Sequence, residues 1–358
     1  MSLTRISVGG ERCYEVVVGS GALAGLPAHL HPSVRSVMLI HPVSRGDVAA
    51  AAGQALRAAG YQVHAAQIPD GEAAKDIAVA AGLWSRLARA RVSRSDAIVG
   101  IGGGAATDLA GFVAGTWLRG IAVLLVPTTL LGIVDAAVGG KNAVDIAEGK
   151  NLVGTFHPPA AVIADLDTLA TLPAAEYASG LAEVIKAGFI ADPVILDLVE
   201  ADPAGAARPG GRHERELIER AVAMKAAVVS ADLREAGQRE MLNYGHTLGH
   251  AIERTEAYQI RHGEAIAIGM AYAAAVGRLA GRLDPATAAR HEAILRAAGL
   301  PVRYRAGTWP ALRAAMAVDK KSRGARLRLV VLDGLARPGI LDDPAEALLE
   351  QAFAEVSE

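Results

Sequence analysis

Short apolar runs alternate with alanine-rich stretches along the first half of this chain. The runs are rich in Val, Ile and Leu, as is typical of buried strands. Between them, residues 45–59 and 73–90 have the composition and apolar spacing of amphipathic helices. This alternation predicts a parallel sheet with helices packed on its faces. The predicted strands are residues 14–18, 36–40, 62–66, 97–101, 121–126 and 161–164.

The strand pattern nearly vanishes after residue 173, and helical periodicity dominates from there on. Two late apolar runs, residues 327–332 and 337–341, flank an Asp-Gly pair and predict a small hairpin. We therefore expect an α/β N-terminal, Rossmann-like parallel-sheet domain over residues 1–173. An all-α, or mainly helical, C-terminal domain is expected over residues 174–358.

Composition and charge narrow the class of protein. The formal net charge is −2 and both signs are interspersed, which disfavours a nucleic-acid or polybasic membrane surface. Cys13 is the only cysteine, so no intrachain disulfide and no cysteine-rich zinc site can form. The N-terminus lacks the apolar core of a signal peptide, and the longest uncharged stretches are shorter than the roughly 18 residues that a membrane span needs. These features predict a soluble, cytoplasmic protein.

A polar stripe is the strongest sign of function. Arg239, Asn243, His246 and His250 follow each other at spacings of four, three and four, which is the period of one helical face. Their neighbours are apolar, so the stripe is expected to be buried. Buried polar groups are costly unless they are paired, often with a metal or a ligand.

His246 and His250 have the spacing at which two imidazoles on one helical turn share a metal. The glutamate of a metalloprotease motif is absent. Either His262 or Glu183 is a candidate third ligand, and spacing does not decide which two of the three histidines bind. Two nitrogens and one carboxylate oxygen suit zinc with an open catalytic position. The C-terminal domain is therefore the predicted metal-binding one.

Three predicted strands lead into loops with candidate binding residues. Gly102, Gly103 and Gly104 lie between a strand and a helix, where backbone without Cβ can approach a pyrophosphate; a tight turn that packs the helix on the strand is equally consistent. Asp108 caps that helix or binds a cofactor hydroxyl, with capping favoured. Thr128 and Thr129 also end a strand, where ligands bind in open parallel sheets, and capping is again the alternative. Residues 69–72 and Lys75 follow another strand, and a surface turn is the favoured interpretation there.

Charged groups also interrupt a glycine-rich segment. Residues 135–141 and 148–151 place Asp135, two lysines and an asparagine among glycines. Lysines in such a loop suit a phosphate or a carboxylate. We expect an anionic substrate there.

Taken together, these motifs closely resemble the 3-dehydroquinate synthase family of sugar phosphate cyclases. The resemblance covers essentially the whole chain, and the combination is highly specific. It is carried by GGGAATD (102–108), WLRG (117–120), PTTLL (127–131), VDAAVGGK (134–141), GKNLVGTFH (149–157), GLAEVIK (180–186), LNYGHTLGHAIE (242–253), RHGE (261–264) and DKK (319–321).

The resemblance implies NAD, one divalent metal (Zn²⁺ or Co²⁺) and a homodimer. It implies conversion of 3-deoxy-D-arabino-heptulosonate 7-phosphate to 3-dehydroquinate and phosphate, by transient oxidation, phosphate elimination, reduction and aldol closure. The implied metal ligands are Glu183, His246 and His262, which makes His250 a catalytic or substrate residue. Arg119 is then contributed across the dimer interface, and Lys321 is an alternative to Lys320.

The remaining roles are likewise implied by the resemblance. The catalytic residues are Lys141, Lys186, Glu235, Arg239, Asn243 and His250. The substrate-binding residues are Arg119, Asp135, Asn151, Lys225 and Lys320. The cofactor-binding residues are Asp70, Gly71, Glu72, Lys75, Gly103, Gly104, Asp108, Thr128, Thr129, Lys141, Lys150, Thr168 and Thr171.

Two departures from the family pattern concern ligand contacts. Asn142 replaces a threonine beside Lys141, which could retune cofactor or substrate contacts, and His41 stands where an Asp-x-Asn often holds the adenosine ribose. The rivals are a sister cyclase such as aminodehydroquinate synthase, a metal-dependent polyol dehydrogenase that would release NADH, and a non-enzymatic NAD-binding module. Lys186, Arg239 and Asn243 favour a carboxylate-bearing substrate.

Overall fold

The computed structural model describes residues 2–234, 237–323 and 326–358, and their side chains except those of residues 318–323. Two compact units are present. The first comprises Met1–Leu172 with Lys225–Arg234, and the second comprises Pro173–Met224 with Glu235–Glu358. The grouping of residues 225–234 with the first unit is not something that the hydrophobic pattern predicts.

The first unit is built on a mostly parallel sheet. The strands of this unit are β1 (Thr4–Val8), β2 (Tyr14–Gly19), β3 (Ser36–Pro42), β4 (Gln62–Ile68), β5 (Ala97–Gly102), β6 (Ala122–Pro127), β7 (Lys141–Ile146), β8 (Gly149–Phe156) and β9 (Ala161–Asp165). Seven of the described strands form the sheet, in the order β1-β2-β9-β6-β5-β3-β4. All neighbours pair in parallel except β1 with β2.

The predicted parallel sheet is confirmed, and all six predicted strands form within a residue or two of their expected ends. The central strands β5 and β9 are buried throughout, which is why their sequences are continuous apolar runs and not alternating ones. The pattern did not predict β1 or the β7–β8 hairpin. Most of β8 is exposed, so no apolar alternation marks it.

Helices α1 (Gly46–Ala58), α2 (Ile77–Arg89) and α3 (Gly104–Thr116) connect the strands of the first unit. Helix α3 follows β5 directly and is apolar on nearly all sides, with residues 109–114 all buried. The glycine-rich segment after β5 is therefore the entry to a buried helix. The carboxyl ends of β3, β4, β5, β6 and β9 all lie at the same edge of the sheet, because these strands are mutually parallel.

The second unit is mainly helical, as expected, with the predicted hairpin at its late position. The hairpin strands are β10 (Arg328–Leu332) and β11 (Pro338–Asp342). The helices after residue 173 are α4 (Ala174–Ile190), α5 (Val194–Ala201), α6 (Pro203–Ala206), α7 (Glu214–Ala231), α8 (His246–Thr255), α9 (His262–Leu279), α10 (Pro285–Ala297), α11 (Trp309–Arg323) and α12 (Glu346–Glu355). Helix α7 begins in the second unit, and its last residues group with the first.

One prediction about this unit is wrong: the polar stripe does not lie on one continuous helical face. A 3₁₀ segment, Gln238–Asn243, ends before Tyr244, and α8 starts only at His246. Gly245 has φ +79°, and a Cβ there would lie 2.8 Å from the Met270 Cγ atom. Only glycine accommodates both constraints, so the chain turns at this point. Among the described residues, no helix has the length and apolar character needed to cross a membrane.

Candidate active site

Helix α4 carries a buried ion pair at its centre. Glu183 and Lys186 are one turn apart, each 3–4 % exposed, and Lys186 Nζ lies 2.5 Å from Glu183 Oε2. Lys186 also donates to the main-chain oxygen of Leu242 at 2.7 Å. The second carboxylate oxygen, Glu183 Oε1, is buried and has no hydrogen-bond partner in the described part of the chain. A desolvated carboxylate oxygen without a donor is costly, so this atom is a candidate ligand atom.

Two imidazoles face that oxygen. His246 Nε2 lies 3.7 Å and His262 Nε2 lies 3.6 Å from Glu183 Oε1. Both separations are too long for hydrogen bonds. They are close to the roughly 3.3–3.5 Å expected between two ligands of one tetrahedral zinc, because each metal–ligand bond is about 2.0–2.1 Å long. Suitable atoms of the three residues all lie within 4.8 Å of one another. His246 begins α8 and His262 begins α9, so two helix starts meet α4 here.

The pKa values of Glu183, His246 and His262 are shifted in different directions by their surroundings. Burial alone would raise the pKa of Glu183, but Lys186 and the two imidazoles hold it well below its usual range. Burial, with the charge of Lys186, lowers the pKa of His246 well below its usual value. Burial also opposes protonation of His262, yet the carboxylates of Glu183 and Glu253 raise its pKa to about 10. The surroundings of His262 therefore favour positive charge.

Glu253 is a residue of this cluster to which sequence reasoning gave no role. Its Oε1 atom lies 3.2 Å from His262 Nδ1, on the side of the ring away from Glu183. A carboxylate behind a histidine orients the ring and increases the basicity of the other nitrogen. The motif places Glu253 three residues after His250 on α8, and this helical spacing was the available signal.

His250 joins the cluster as an exposed third ring, with its centroid 5.1 Å from that of His246. A second group that could hold an ion is His250, Glu253 and His262. A cavity beside His246 and His250 is also lined by Asn243 and by Arg326, a cation that sequence reasoning missed. Arg239 is buried, at 4 % exposure. Glu235 and the side chain of Lys320, together with the alternative Lys321, lie outside the described residues.

In the first unit, the glycine-rich loop leads directly into the N-terminus of α3. Gly103 is the N-cap residue of α3, and none of the described side chains caps that end. Gly102 has φ +141°, and a Cβ there would come within 2.7 Å of the Ala106 Cβ atom. The open main-chain N–H groups and the helix dipole favour an anion at this point.

Asp108 does not cap helix α3, contrary to the interpretation favoured from sequence. It lies one turn inside the helix and accepts a hydrogen bond from Lys75 Nζ at 2.9 Å. Burial raises the pKa of Asp108 to about 6, although Lys75 opposes this shift. Lys75 also bonds Asn151 on β8, so one buried lysine joins two residues for which separate roles were predicted.

The other predicted cofactor residues fall at the carboxyl edge of the same sheet. Thr128 follows β6; its Oγ1 is buried and has no partner among the described residues. Thr129 Oγ1 accepts from Gly132 N, so it does cap the next turn. Thr168 donates to the Asp165 carbonyl, and Thr171 accepts from Arg45. Asp70 accepts from Ser44, and Glu72 lies 3.2 Å from the Lys150 ammonium. Gly71 between them has φ +64°.

The glycine-rich segment that is predicted to bind an anionic substrate contains a buried, hydrogen-bonded asparagine. The Asn142 amide donates to the carbonyl oxygens of Gly140 and His157, both at 3.0 Å, while Lys141 beside it is exposed. A Cβ at Gly111 would lie 1.9 Å from Asn142 Oδ1, so the asparagine fills space that this glycine leaves. The departure at position 142 is therefore accommodated inside the fold.

Three more predicted substrate residues lie in the first unit. Lys225 donates to the main-chain oxygen of Asp135 at 2.6 Å and also bonds its carboxylate. Arg119 is exposed and has φ +68° in a left-handed turn after α3. His41, at the other departure, is buried with Nδ1 3.0 Å from the Pro42 carbonyl.

Comparison with known proteins identifies the family. Residues 65–179 match the model of the 3-dehydroquinate synthase N-terminal region, and residues 180–322 match the model of the C-terminal region. A 3-dehydroquinate synthase from Thermobifida fusca is 64 % identical over 358 residues, which span 100 % of this chain and 97 % of the relative. The chain belongs to the 3-dehydroquinate synthase family.

Solved structures of sister enzymes have the same fold. A 2-deoxy-scyllo-inosose synthase complexed with carbaglucose-6-phosphate, NAD⁺ and Co²⁺ superposes with a TM-score of 0.89 at 26 % identity, covering 99 % of this chain and 100 % of that one. A 2-epi-5-epi-valiolone synthase from Streptomyces hygroscopicus with NAD⁺ and Zn²⁺ bound also gives 0.89, at 28 % identity and 99 % coverage of each chain. Identity to the 3-dehydroquinate synthase from Thermobifida fusca, 64 %, is more than twice as high, so the sister cyclases are not favoured.

Proposed function

We propose that this protein is a 3-dehydroquinate synthase, a phosphorus–oxygen lyase that uses catalytic NAD and one divalent metal. It converts 3-deoxy-D-arabino-heptulosonate 7-phosphate to 3-dehydroquinate and phosphate. The observation that carries this is the buried Glu183 Oε1, which has no hydrogen-bond partner among the described residues and faces two imidazoles, in a chain 64 % identical to a 3-dehydroquinate synthase. Residues 1–173 then form the NAD-binding domain, and residues 174–358 form the metal- and substrate-binding domain.

The residues fit a catalytic Zn²⁺ or Co²⁺. Glu183, His246 and His262 would hold it, because one oxygen and two nitrogens leave a position open for substrate. His246 Nδ1 donates to the carbonyl oxygen of Tyr244 at 3.1 Å, which leaves the lone pair of Nε2 toward Glu183. Bound there, the cation would polarise a substrate oxygen, and NAD⁺ would take up and return one hydride in each turnover.

The residues of the first unit fit a dinucleotide. Gly103 and Gly104 would let the pyrophosphate approach the start of α3, since their hydrogens occupy the space that a Cβ would fill. The buried Thr128 hydroxyl is a further candidate contact, as it has no partner among the described residues. Asp108 and Lys75 lie close behind the loop.

Cationic residues would bind and stabilise the anionic groups of the substrate. Lys186 is held by Glu183 and the Leu242 carbonyl, which fixes its ammonium group beside the metal ligands. Arg239 and His250 belong to the same unit and are assigned to the carboxylate and the hydroxyls of the substrate. Preorganised cations of this kind stabilise anionic charge as it develops during phosphate elimination.

The direct test is to incubate the metal-loaded protein with NAD⁺ and the heptulosonate phosphate. One phosphate should be released per product, the product mass should equal the substrate mass minus phosphoric acid, and no NADH should accumulate. Phosphate release only from glucose 6-phosphate or sedoheptulose 7-phosphate would indicate a sister cyclase. Net NADH formation with a polyol would indicate a dehydrogenase.

We predict that Lys186→Ala cripples turnover while NAD⁺ still binds. The ammonium lies in the metal-ligand cluster, and the NAD contacts are assigned to the other unit. Titration of NAD⁺ by fluorescence or calorimetry, alongside phosphate release, separates the two effects. Near-normal turnover would contradict the role given to Lys186.

The expected homodimer also remains part of this proposal. On β8, Leu152, Val153 and Phe156 are 64 %, 38 % and 48 % exposed, and Leu118 beside Arg119 is 41 % exposed. Such apolar side chains are consistent with a second copy covering this unit. Sedimentation of the protein should give twice the chain mass, and Leu152→Asp with Phe156→Asp should shift it toward the monomer.

A further inference from the structure

A completely buried histidine lies outside the set of residues assigned to the reaction. His291 on α10 is 0 % exposed. Its Nδ1 lies 2.7 Å from the Thr287 carbonyl, and its Nε2 lies 2.8 Å from the hydroxyl of Tyr244. A carbonyl can only accept, so Nδ1 carries the proton. Nε2 must then accept from Tyr244, and the direction of both hydrogen bonds is fixed.

The same ring also contacts the helix that carries Glu183. His291 stacks on Phe189 of α4, with ring centroids 3.5 Å apart and planes 11° from parallel. Phe189 is fully buried and lies one turn after Lys186. One imidazole is thus in contact with α4 and with the segment that precedes α8.

Tyr244 links this ring to a proposed metal ligand. Its side chain is 0 % exposed, and its main-chain oxygen accepts a hydrogen bond from His246 Nδ1 at 3.1 Å. Gly245, which follows, has no side chain to anchor the turn. The buried Tyr244 ring and its hydroxyl therefore help to fix this carbonyl before the start of α8, together with the main-chain hydrogen bond from Tyr244 to Met241 at 3.2 Å.

We propose that His291 is a positioning residue for the metal centre: by accepting the Tyr244 hydrogen bond, it fixes the carbonyl that orients the His246 ring. This inference rests on the metal site of the proposed function. A partner behind a metal ligand sets the tautomer and the angle of the ring, and its loss lowers metal affinity. In this protein one more residue lies behind the ligand: Tyr244 accepts from His246 through its main-chain oxygen and donates to His291 through its hydroxyl.

A double-mutant cycle on the folded metal-free protein tests the proposal. Tyr244→Phe removes only the hydroxyl, and His291→Phe removes the acceptor but keeps an aromatic ring on Phe189. Zn²⁺ affinity is measured by chelator competition, and the visible spectrum of bound Co²⁺ reports ligand geometry. Each single variant should weaken Zn²⁺ binding roughly tenfold and alter the Co²⁺ spectrum. The double variant should bind Zn²⁺ no more weakly than either single variant, because both substitutions remove the same hydrogen bond. His291→Gln, whose amide oxygen can accept from Tyr244, should restore much of the loss.

Tyr177→Phe is the matched control. Tyr177 is another buried tyrosine, on α4, and its hydroxyl donates to Glu214 at 3.0 Å. This variant should lower the melting temperature and leave Zn²⁺ affinity and the Co²⁺ spectrum unchanged. If Tyr244→Phe behaves like this control, His291 only stabilises the fold and the proposal is overturned. If the parent protein itself fails to bind one Zn²⁺ per chain, the metal site of the proposed function fails first. Should His291→Phe not fold, Tyr244→Phe alone decides.

Discussion

The two units of this protein build their candidate sites in opposite ways. In the sheet unit, the site is mostly main chain, namely the open start of α3 and the carboxyl ends of the strands. The charged side chains there pair with one another, as Lys75 does with Asp108 and Lys150 does with Glu72. In the helical unit, the site consists of side chains grouped around the buried Glu183–Lys186 ion pair, and one Glu183 oxygen has no hydrogen-bond partner among the described residues.

This difference determines how each site should respond to change. A site formed by main-chain groups at glycines is disturbed when a substitution adds atoms, because the larger side chain takes up space beside the main chain. A site made of buried, charged side chains is altered by removing atoms, because each deletion leaves another charge uncompensated in a poorly solvated place. Single deletions should therefore have the largest effects in the helical unit.

The largest effect is expected for Glu183→Gln. The change removes the carboxylate that faces both imidazoles and leaves the buried ammonium of Lys186 without that negative charge beside it. Loss of one partner of a buried ion pair costs roughly 3–5 kcal/mol of stability. Zn²⁺ affinity should fall by more than the roughly 10- to 100-fold that changes behind a ligand cause. Denaturant unfolding and chelator competition measure the two losses.

A second substitution separates these two losses. Adding Lys186→Met to Glu183→Gln removes the orphaned cation, so stability should largely return while metal binding does not. Recovery of both properties together would mean that Glu183 serves only to neutralise Lys186.

The same contrast explains what could be predicted from the sequence. The sheet was predictable because buried parallel strands are continuous apolar runs, and β3, β5, β6 and β9 all have them. The exposed β8 has no such signal, and its residues were interpreted only as a polar, glycine-bordered loop.

Side-chain partners were the part that spacing could not provide. The stripe from Arg239 to His250 suggested one helix, whereas the left-handed Gly245 divides it and brings His246 to the start of α8. Residue spacing left the metal set open, and the resemblance selected Glu183, His246 and His262, which do lie together. Which residues stand behind them, Glu253 and Tyr244, depends on contacts between helices that are distant in sequence.

The next largest effect should be a pH dependence of stability in the helical unit. Burial lowers the pKa of His291 to about 4 from its ordinary 6.5. Between these pH values His291 is protonated in the unfolded chain and neutral in the folded chain, so the free energy of unfolding decreases as the pH falls. The loss approaches about 3 kcal/mol by pH 4. Unfolding of the parent and of His291→Gln, both with chelator present, should therefore differ less at pH 4.5 than at pH 7.5. A difference that does not change with pH would contradict this assignment.

A smaller effect, on metal affinity alone, is expected for Glu253→Gln. The amide can still contact His262 Nδ1, yet it carries no negative charge to strengthen Nε2. Affinity for Zn²⁺ should fall roughly 10- to 100-fold, with little change in stability because Glu253 is only partly buried. If Glu253 instead belonged to a second ion site with His250, the parent would bind two Zn²⁺ ions and the variant one.

The smallest effect is expected where atoms are added to the sheet unit. Gly103→Ala puts a methyl group 3.2 Å from the Thr129 Cγ2 atom, at the open start of α3 where the pyrophosphate is proposed to lie. NAD⁺ affinity should fall roughly tenfold, which corresponds to about 1.4 kcal/mol. Gly82→Ala is the control, because it lies within α2 with nothing inside 4 Å of the added carbon. That variant should gain up to about 1 kcal/mol of stability and bind NAD⁺ normally. Equal NAD⁺ affinity in both variants would show that the start of α3 is not where the dinucleotide binds, and the contrast between the two units would then rest on the helical site alone.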